Sequence, residues 1–170
     1  MKKWMMIFSM ACSLLSAKEA RPVEASVATP QQKTFSMIKP DAVAANKIGH
    51  IVARIEDEGF HVVAMKMTTL SKEEASSFYS VHKERPFFNE LVDYITSGPV
   101  VAMVVEKNNA VENYRKLMGA TDPLKAAPGT LRGDFGKSID KNAVHGSDSI
   151  ENADIEIAFF FSDNQVQDRR

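Results

Sequence analysis

A chain of 170 residues with 44% hydrophobic and 25% charged side chains fits one globular domain able to bury a core of its own. Its formal net charge is −1, and residues 33–170 hold 17 Lys and Arg against 20 Asp and Glu, which excludes a dedicated basic nucleic-acid binder. Any phosphate site must then be a local cluster of cations, and the single cysteine, Cys12, excludes an internal disulfide and a cysteine-built metal centre.

Residues 1–32 stand apart. Lys2 and Lys3 precede an uncharged, mostly apolar run from Trp4 to Ala17, and the next stretch, KEARPVEASVATPQQ, is small and polar. A basic start, a short apolar run and small residues make the layout of a secretory signal. The run is shorter than the about 20 apolar residues that cross a bilayer, so no transmembrane span is expected. Cleavage sites are poor: Leu15-Ser16-Ala17 has a bulky first residue, and Ser26-Val27-Ala28 lies far from the apolar run. A lipoprotein role for Cys12 meets Ser9 where such signals carry Leu. Two readings stay open. Residues 1–17 are an export signal, or the segment is a disordered extension or start-site artefact with the true start near Val27. Residues 18–32 are expected to be linker.

From residue 33 the pattern is that of a folded domain. Thr34 to Ile38 has strand character and stops at Lys39-Pro40. Ile48, Ile51, Val52 and Ile55 fall at helical spacing, with Gly59 as the stop. Phe60 to Met67 is apolar and β-branched, a strand. Ser71 and Glu74 form a capping box that opens a helix through Ala75, Phe78 and Tyr79. After Pro86, FFNELVDYITSG predicts a helix ending at Gly98. Pro99 to Val105 is nearly all apolar, as in a central strand covered on both faces. Asn109 to Met118 predicts a helix closed by Gly119. Residues 120–137, with Pro123, Pro128, Gly129, Gly133 and Gly136, predict a loop with at most one short helical turn. Val144-His145 predicts a last short strand. Ser147, Asp148 and Glu151 are expected to cap a helix that buries Ile150, Ala153, Ile157 and Phe160. Four strands with helices between them predict an α+β, ferredoxin-like two-layer sandwich of βαββαβ order, a four-stranded antiparallel sheet under covering helices.

Gly136-Lys137-Ser138 imitates the end of a phosphate-binding P-loop, but the first glycine of that pattern would fall on Leu131 and no strand precedes it. His50 and His61 lie within regular elements with no polar cluster beside them, and His82 is in a charged helix end, so each reads as structural or solvent-exposed. His145 differs. Gly146 removes bulk beside the ring, which would let a large substrate approach, and the next helix begins immediately after it. A neutral imidazole is a usable nucleophile toward phosphorus. Its neighbours alone fit a capped turn that happens to hold a histidine equally well. Arg115, Thr121 and Arg132 flank the glycine- and proline-rich loop and suit a di- or triphosphate, although each alone reads as ordinary surface. Lys39 is as ambiguous. No second His or Cys stands at metal-ligand spacing.

Taken together, TFSMIKPDAV, GFHVVAMKM, RPFF, TSGPVVAMV, GATDP, PGTLRGDF and NAVHGSDS occur in an order and spacing that closely resembles the nucleoside diphosphate kinase family, over about residues 33–163. Residues 1–32 match nothing usual in that family and are set apart from a domain at 33–170. The resemblance implies transfer of the terminal phosphate of a nucleoside triphosphate, mainly ATP, to nucleoside diphosphates through a phosphohistidine in a ping-pong reaction that maintains nucleotide pools. By motif position it makes His145 the nucleophile, Glu156 the carboxylate that orients it, and Ser147 its support. It aligns Lys39, Tyr79, Arg115, Thr121, Arg132 and Asn142 with residues that hold phosphates and ribose, Lys39 also serving catalysis. Phe87 aligns with the aromatic that packs on the base. The resemblance further implies Mg²⁺ held mainly through nucleotide phosphates rather than by protein ligands, a homo-oligomer (tetramer favoured, hexamer possible), no dedicated nucleic-acid binding, and a cytoplasmic location unless residues 1–17 export the chain.

Overall fold

The computed structural model describes residues 31–168, so the signal-like reading of residues 1–17 lies outside the described residues. The first strand, β1 (Gln32–Ile38), starts two residues before the expected Thr34. Gln32 pairs with Lys107, and its side-chain Oε1 accepts the Val111 N–H at 2.9 Å. The chain then forms α1 (Pro40–Ala44), α2 (Ile48–Asp57), β2 (His61–Thr68), α3 (Lys72–Phe78), α4 (Phe88–Ile95), β3 (Val100–Lys107), α5 (Ala110–Met118), α6 (Leu131–Phe135), β4 (Val144–Gly146) and α7 (Ile150–Phe160). The sequence pattern did not reveal α1. Its five residues begin at Pro40, which suits the first turn of a helix but is too short a signal to show periodicity.

The strands lie in the order β2-β3-β1-β4, every neighbour antiparallel, which is the expected ferredoxin-like sheet. The two central strands bury nearly every side chain, so helices must cover both faces. Ile38, Met103 and Val105 pack with Ile51 and Ile55 of α2 and with Tyr114 and Met118 of α5, the two crossover helices. On the other face, Phe35, Met37 and Val104 pack with Ala75 of α3, Ile95 of α4 and Phe160 of α7. Side chains alternate along β1, so Phe35 and Met37 face one layer while Ser36 and Ile38 face the other. This alternation decides where β4 points its histidine.

The capping box at α3 forms as expected, Ser71 Oγ accepting the Glu74 N–H at 3.1 Å and Glu74 Oε2 accepting the Ser71 N–H at 2.8 Å. At α7 the cap is different from the expected one. Ser149, not Ser147 or Asp148, is the N-cap and accepts the Asn152 N–H at 3.1 Å. Asp148 instead accepts from the Asn152 side chain, and Ser147 is drawn inward. Ile150, expected on the buried face of α7, is 51% exposed.

Candidate active site

β4 is the short edge strand that carries His145. It pairs with β1 so that His145 lies opposite Met37 and Gly146 opposite Ser36. The His145 ring therefore shares the Phe35 face, with ring centroids 6.0 Å from Phe35, 5.5 Å from Phe78 and 6.0 Å from Tyr79. Gly146 faces the opposite layer, where a Cβ would stand 2.6 Å from Tyr114 Cδ1 and 2.9 Å from Met118 Cε. The absent side chain at Gly146 is thus required by core packing, not by substrate approach as the sequence suggested.

From α7, Glu156 reaches back to the strand. Its Oε1 lies 3.0 Å from His145 Nε2 and its Oε2 accepts the Ser147 hydroxyl at 2.6 Å. Ser147 Oγ in turn accepts the Phe35 N–H at 3.3 Å. A carboxylate can only accept, so Nε2 carries the proton and the lone pair of the neutral ring resides on Nδ1. Tyr79 completes this side. Its buried hydroxyl has no hydrogen-bond partner among the described residues, and burial, then the Glu156 charge, push its pKa upward.

The cations gather beside the histidine's strand. Lys39 follows β1 in extended conformation and is 7% exposed, its Nζ donating to Asn142 Oδ1 at 2.8 Å. Burial, and next the nearby Arg132, pull its pKa from 10.5 down to about 8. Arg132, on α6, donates to the Gly119 and Val144 carbonyls, while its buried Nε has no partner among the described residues. Burial also lowers the Arg132 pKa, with Arg115 adding repulsion. Asn142 is fixed by bonds from Nδ2 to the Thr121 and Ile139 carbonyls.

Next to Lys39 opens a cleft of about 450 Å³ lined by Lys39, Phe87, Leu91, Tyr94, Thr121 and Ile139, with Glu90 and Asp140 at its walls. Phe87 is 46% exposed there, an aromatic face open to a planar ligand. Lys39, Thr121 and Phe87 thus share one cavity. His145, Tyr79, Arg115 and Arg132 do not line it. Arg115 is exposed on α5 and lines a separate shallow groove with Asp148. Three residues, Asp41, Tyr94 and Ala143, escaped sequence reasoning. Asp41 accepts the Tyr94 hydroxyl at 2.5 Å and the Ala143 N–H at 3.2 Å. Only folding brings these three together, so no local signal marked them.

A carboxylate-oriented imidazole beside a cluster of cations and an aromatic-walled cleft is chemistry for an anionic, planar substrate. The nucleoside diphosphate kinase family model matches residues 32–166. The chain belongs to the nucleoside diphosphate kinase family. It is 62% identical over 135 residues to the nucleoside diphosphate kinase of Nitratiruptor, covering 79% of this chain and 98% of that one. With the Wolinella succinogenes enzyme it shares 63% over 135 residues, again 79% and 98%. Among solved structures, the Aquifex aeolicus nucleoside diphosphate kinase superposes with a TM-score of 0.78 at 44% identity, covering 80% and 99%. A halophilic nucleoside diphosphate kinase from Halobacterium salinarum in complex with CDP gives 0.79 at 45%, covering 82% and 93%. As a family member the chain is a phosphotransferase. It moves phosphate from nucleoside triphosphates to nucleoside diphosphates by the ping-pong, phosphohistidine route general to nucleoside diphosphate kinases. The family's enzymes use a divalent metal. No helix among the described residues is long and apolar enough to cross a membrane.

Proposed function

We propose that His145 is the residue phosphorylated in this reaction, through Nδ1. The observation that carries the assignment is the 3.0 Å contact between His145 Nε2 and Glu156, which holds the tautomer with its lone pair on the other nitrogen. That pair forms an N–P bond to the γ-phosphorus while the bond from this phosphorus to the β–γ bridging oxygen breaks. The bond's electron pair leaves on the nucleoside diphosphate. A second diphosphate then attacks the phosphohistidine and the same steps run backward. Glu156 stabilises the ring as it gains positive character, and Ser147 fixes Glu156. Lys39, Arg115 and Arg132 supply positive charge for the phosphates; Tyr79, Thr121 and Asn142 supply polar contacts to phosphate and ribose. Phe87 packs on the base, and stacking accepts any base.

Mg²⁺ is the divalent ion this site suits. The Lys39 and Arg132 cations attract phosphate and repel a free metal ion, which supports an ion carried in on phosphate oxygens. Bound there, it would neutralise charge on the phosphates. The reading extends to a cytoplasmic homotetramer. The loop at residues 120–131, with Pro123 and Pro128, resembles one that helps pack subunits in this family, and that resemblance supports assembly. Incubation with γ-labelled ATP tests the chemistry. Wild-type protein takes up acid-labile label and passes it to added GDP, and His145→Gln loses activity by about four orders of magnitude or more. Label retained in folded His145→Gln would sink the assignment. A monomer in light scattering would overturn the tetramer, and N-terminal sequencing of the mature protein showing cleavage after the apolar run would replace cytoplasmic action by export.

A further inference from the structure

The segment that delivers His145 is held in an unfavourable shape. Ala143 has φ 66°, a left-handed conformation for a residue with a Cβ. The Val144 N–H donates to the Asn142 carbonyl at 2.8 Å, closing a γ-turn around Ala143 of the rare, strained hand. Such a turn persists only when its surroundings hold it. Both of its central backbone groups are held by one short stretch of chain. The Lys39 N–H donates to the Ala143 carbonyl at 2.9 Å, and the Ala143 N–H donates to Asp41 Oδ2 at 3.2 Å. The other Asp41 oxygen accepts the hydroxyl of Tyr94, a wall of the cleft, at 2.5 Å. Lys39 Nζ stands 5.9 Å from the centre of the same Tyr94 ring.

We propose that Asp41 is a positioning residue that clamps the γ-turn at Ala143 and ties it to the cleft wall through Tyr94, so that His145 is aimed at the phosphate of a nucleotide seated in the cleft. Asp41 touches neither the reacting atoms nor the ring of His145. It acts through Ala143, two residues upstream, and a displacement of about 1 Å at a nucleophile is enough to slow transfer by about two orders of magnitude. The inference rests on the assignment of His145 as nucleophile.

The test is a graded series read by rapid-quench phosphorylation from γ-labelled ATP, with His145→Gln as the control for the nucleophile. Asp41→Ala is expected to slow phosphoenzyme formation at saturating ATP by about 10- to 100-fold, with KM for ATP within about threefold of wild type. Asp41→Asn keeps an acceptor for the Ala143 N–H without the charge, and is expected to fall between wild type and Asp41→Ala. A merely structural role would lower thermal stability and leave the rate per folded molecule unchanged, or would raise KM and not the barrier. Either outcome in folded Asp41→Ala overturns the proposal. If Asp41→Ala does not fold, Asp41→Asn decides. A rate reduced about threefold or more at unchanged KM supports the clamp, and a wild-type rate overturns it. Label persisting in His145→Gln would instead condemn the nucleophile assignment, so the two failures are told apart.

Discussion

The histidine side and the cation side of the site are built on opposite plans. Glu156 spends both oxygens on His145 and Ser147, and Ser147 is itself anchored to the β1 backbone. These groups satisfy one another within the protein. Lys39 and Arg132, by contrast, are disfavoured as cations chiefly by burial, and then by a neighbouring guanidinium, Arg132 for Lys39 and Arg115 for Arg132. The contrast separates two tasks of phosphoryl transfer. On the assignment proposed above, the nucleophile is oriented in advance, so no reorganisation is needed at the reacting nitrogen. In their proposed role the cations hold an unfavourable field that an incoming polyphosphate would relieve, converting binding into charge stabilisation where it is needed.

The largest effect should come from disconnecting the oriented side. Glu156→Ala removes the acceptor at Nε2 and frees the ring tautomer, and kcat is expected to fall by about 10- to 100-fold with KM for ATP little changed. A wild-type kcat in that variant would erase the distinction between the two halves.

The cation side should answer to pH. Lys39 is brought from 10.5 to about 8 by burial and Arg132, so the folded protein releases its proton before the unfolded chain does. Between those values the unfolded state binds more protons, and the Lys39 contribution to stability therefore rises with pH across that window; below about 8 its full burial penalty is present. In the role proposed for Lys39, nucleotide capture runs the other way, because the charged ammonium is the form that would meet phosphate. kcat/KM is expected to fall above pH 8, approaching about tenfold per pH unit, and Lys39→Met should start lower and lose that limb. A profile equally steep in Lys39→Met would place the titration elsewhere.

How much of this was legible in the chain depended on the range of each interaction. The apolar run Pro99 to Val105, the helical spacing of Ile48, Ile51, Val52 and Ile55 and the Ser71–Glu74 box are local signals, and each became the element it predicted. The site residues were legible as members of a family pattern, not as chemistry. Nothing near His145 announces Glu156, because the helix that returns it to the ring is set by packing against β1. Gly146 was read as space for substrate because sequence does not say which sheet face a residue on so short a strand takes; the register with Ser36 turns it toward Tyr114. Asp41, Tyr94 and Ala143 were invisible for the same reason, being separated by 53 and 102 residues and joined by one carboxylate.

The smallest expected effect concerns the start of α7, the helix that supplies Glu156. Ser147, Asp148 and Ser149 all have side chains able to cap a helix, and composition alone does not choose among them. Their surroundings do. Ser147 is 1% exposed, and its hydroxyl is engaged by Glu156 and the Phe35 N–H instead of a helix N–H. Asp148 bonds the Asn152 side chain rather than the Asn152 backbone. Ser149 alone, in extended conformation (φ −146°, ψ 170°), meets the Asn152 backbone N–H. Ser149→Ala should therefore lower unfolding stability by about 1 kcal/mol in urea titration, while Asp148→Ala leaves the cap in place and should lower it less. Because Glu156 sits well inside α7, fraying the first turn should leave kcat nearly unchanged. A large catalytic loss from Ser149→Ala would mean that the orientation of His145 depends on the helix start as well as on the carboxylate itself, and the histidine side would be less self-contained than its hydrogen bonds imply.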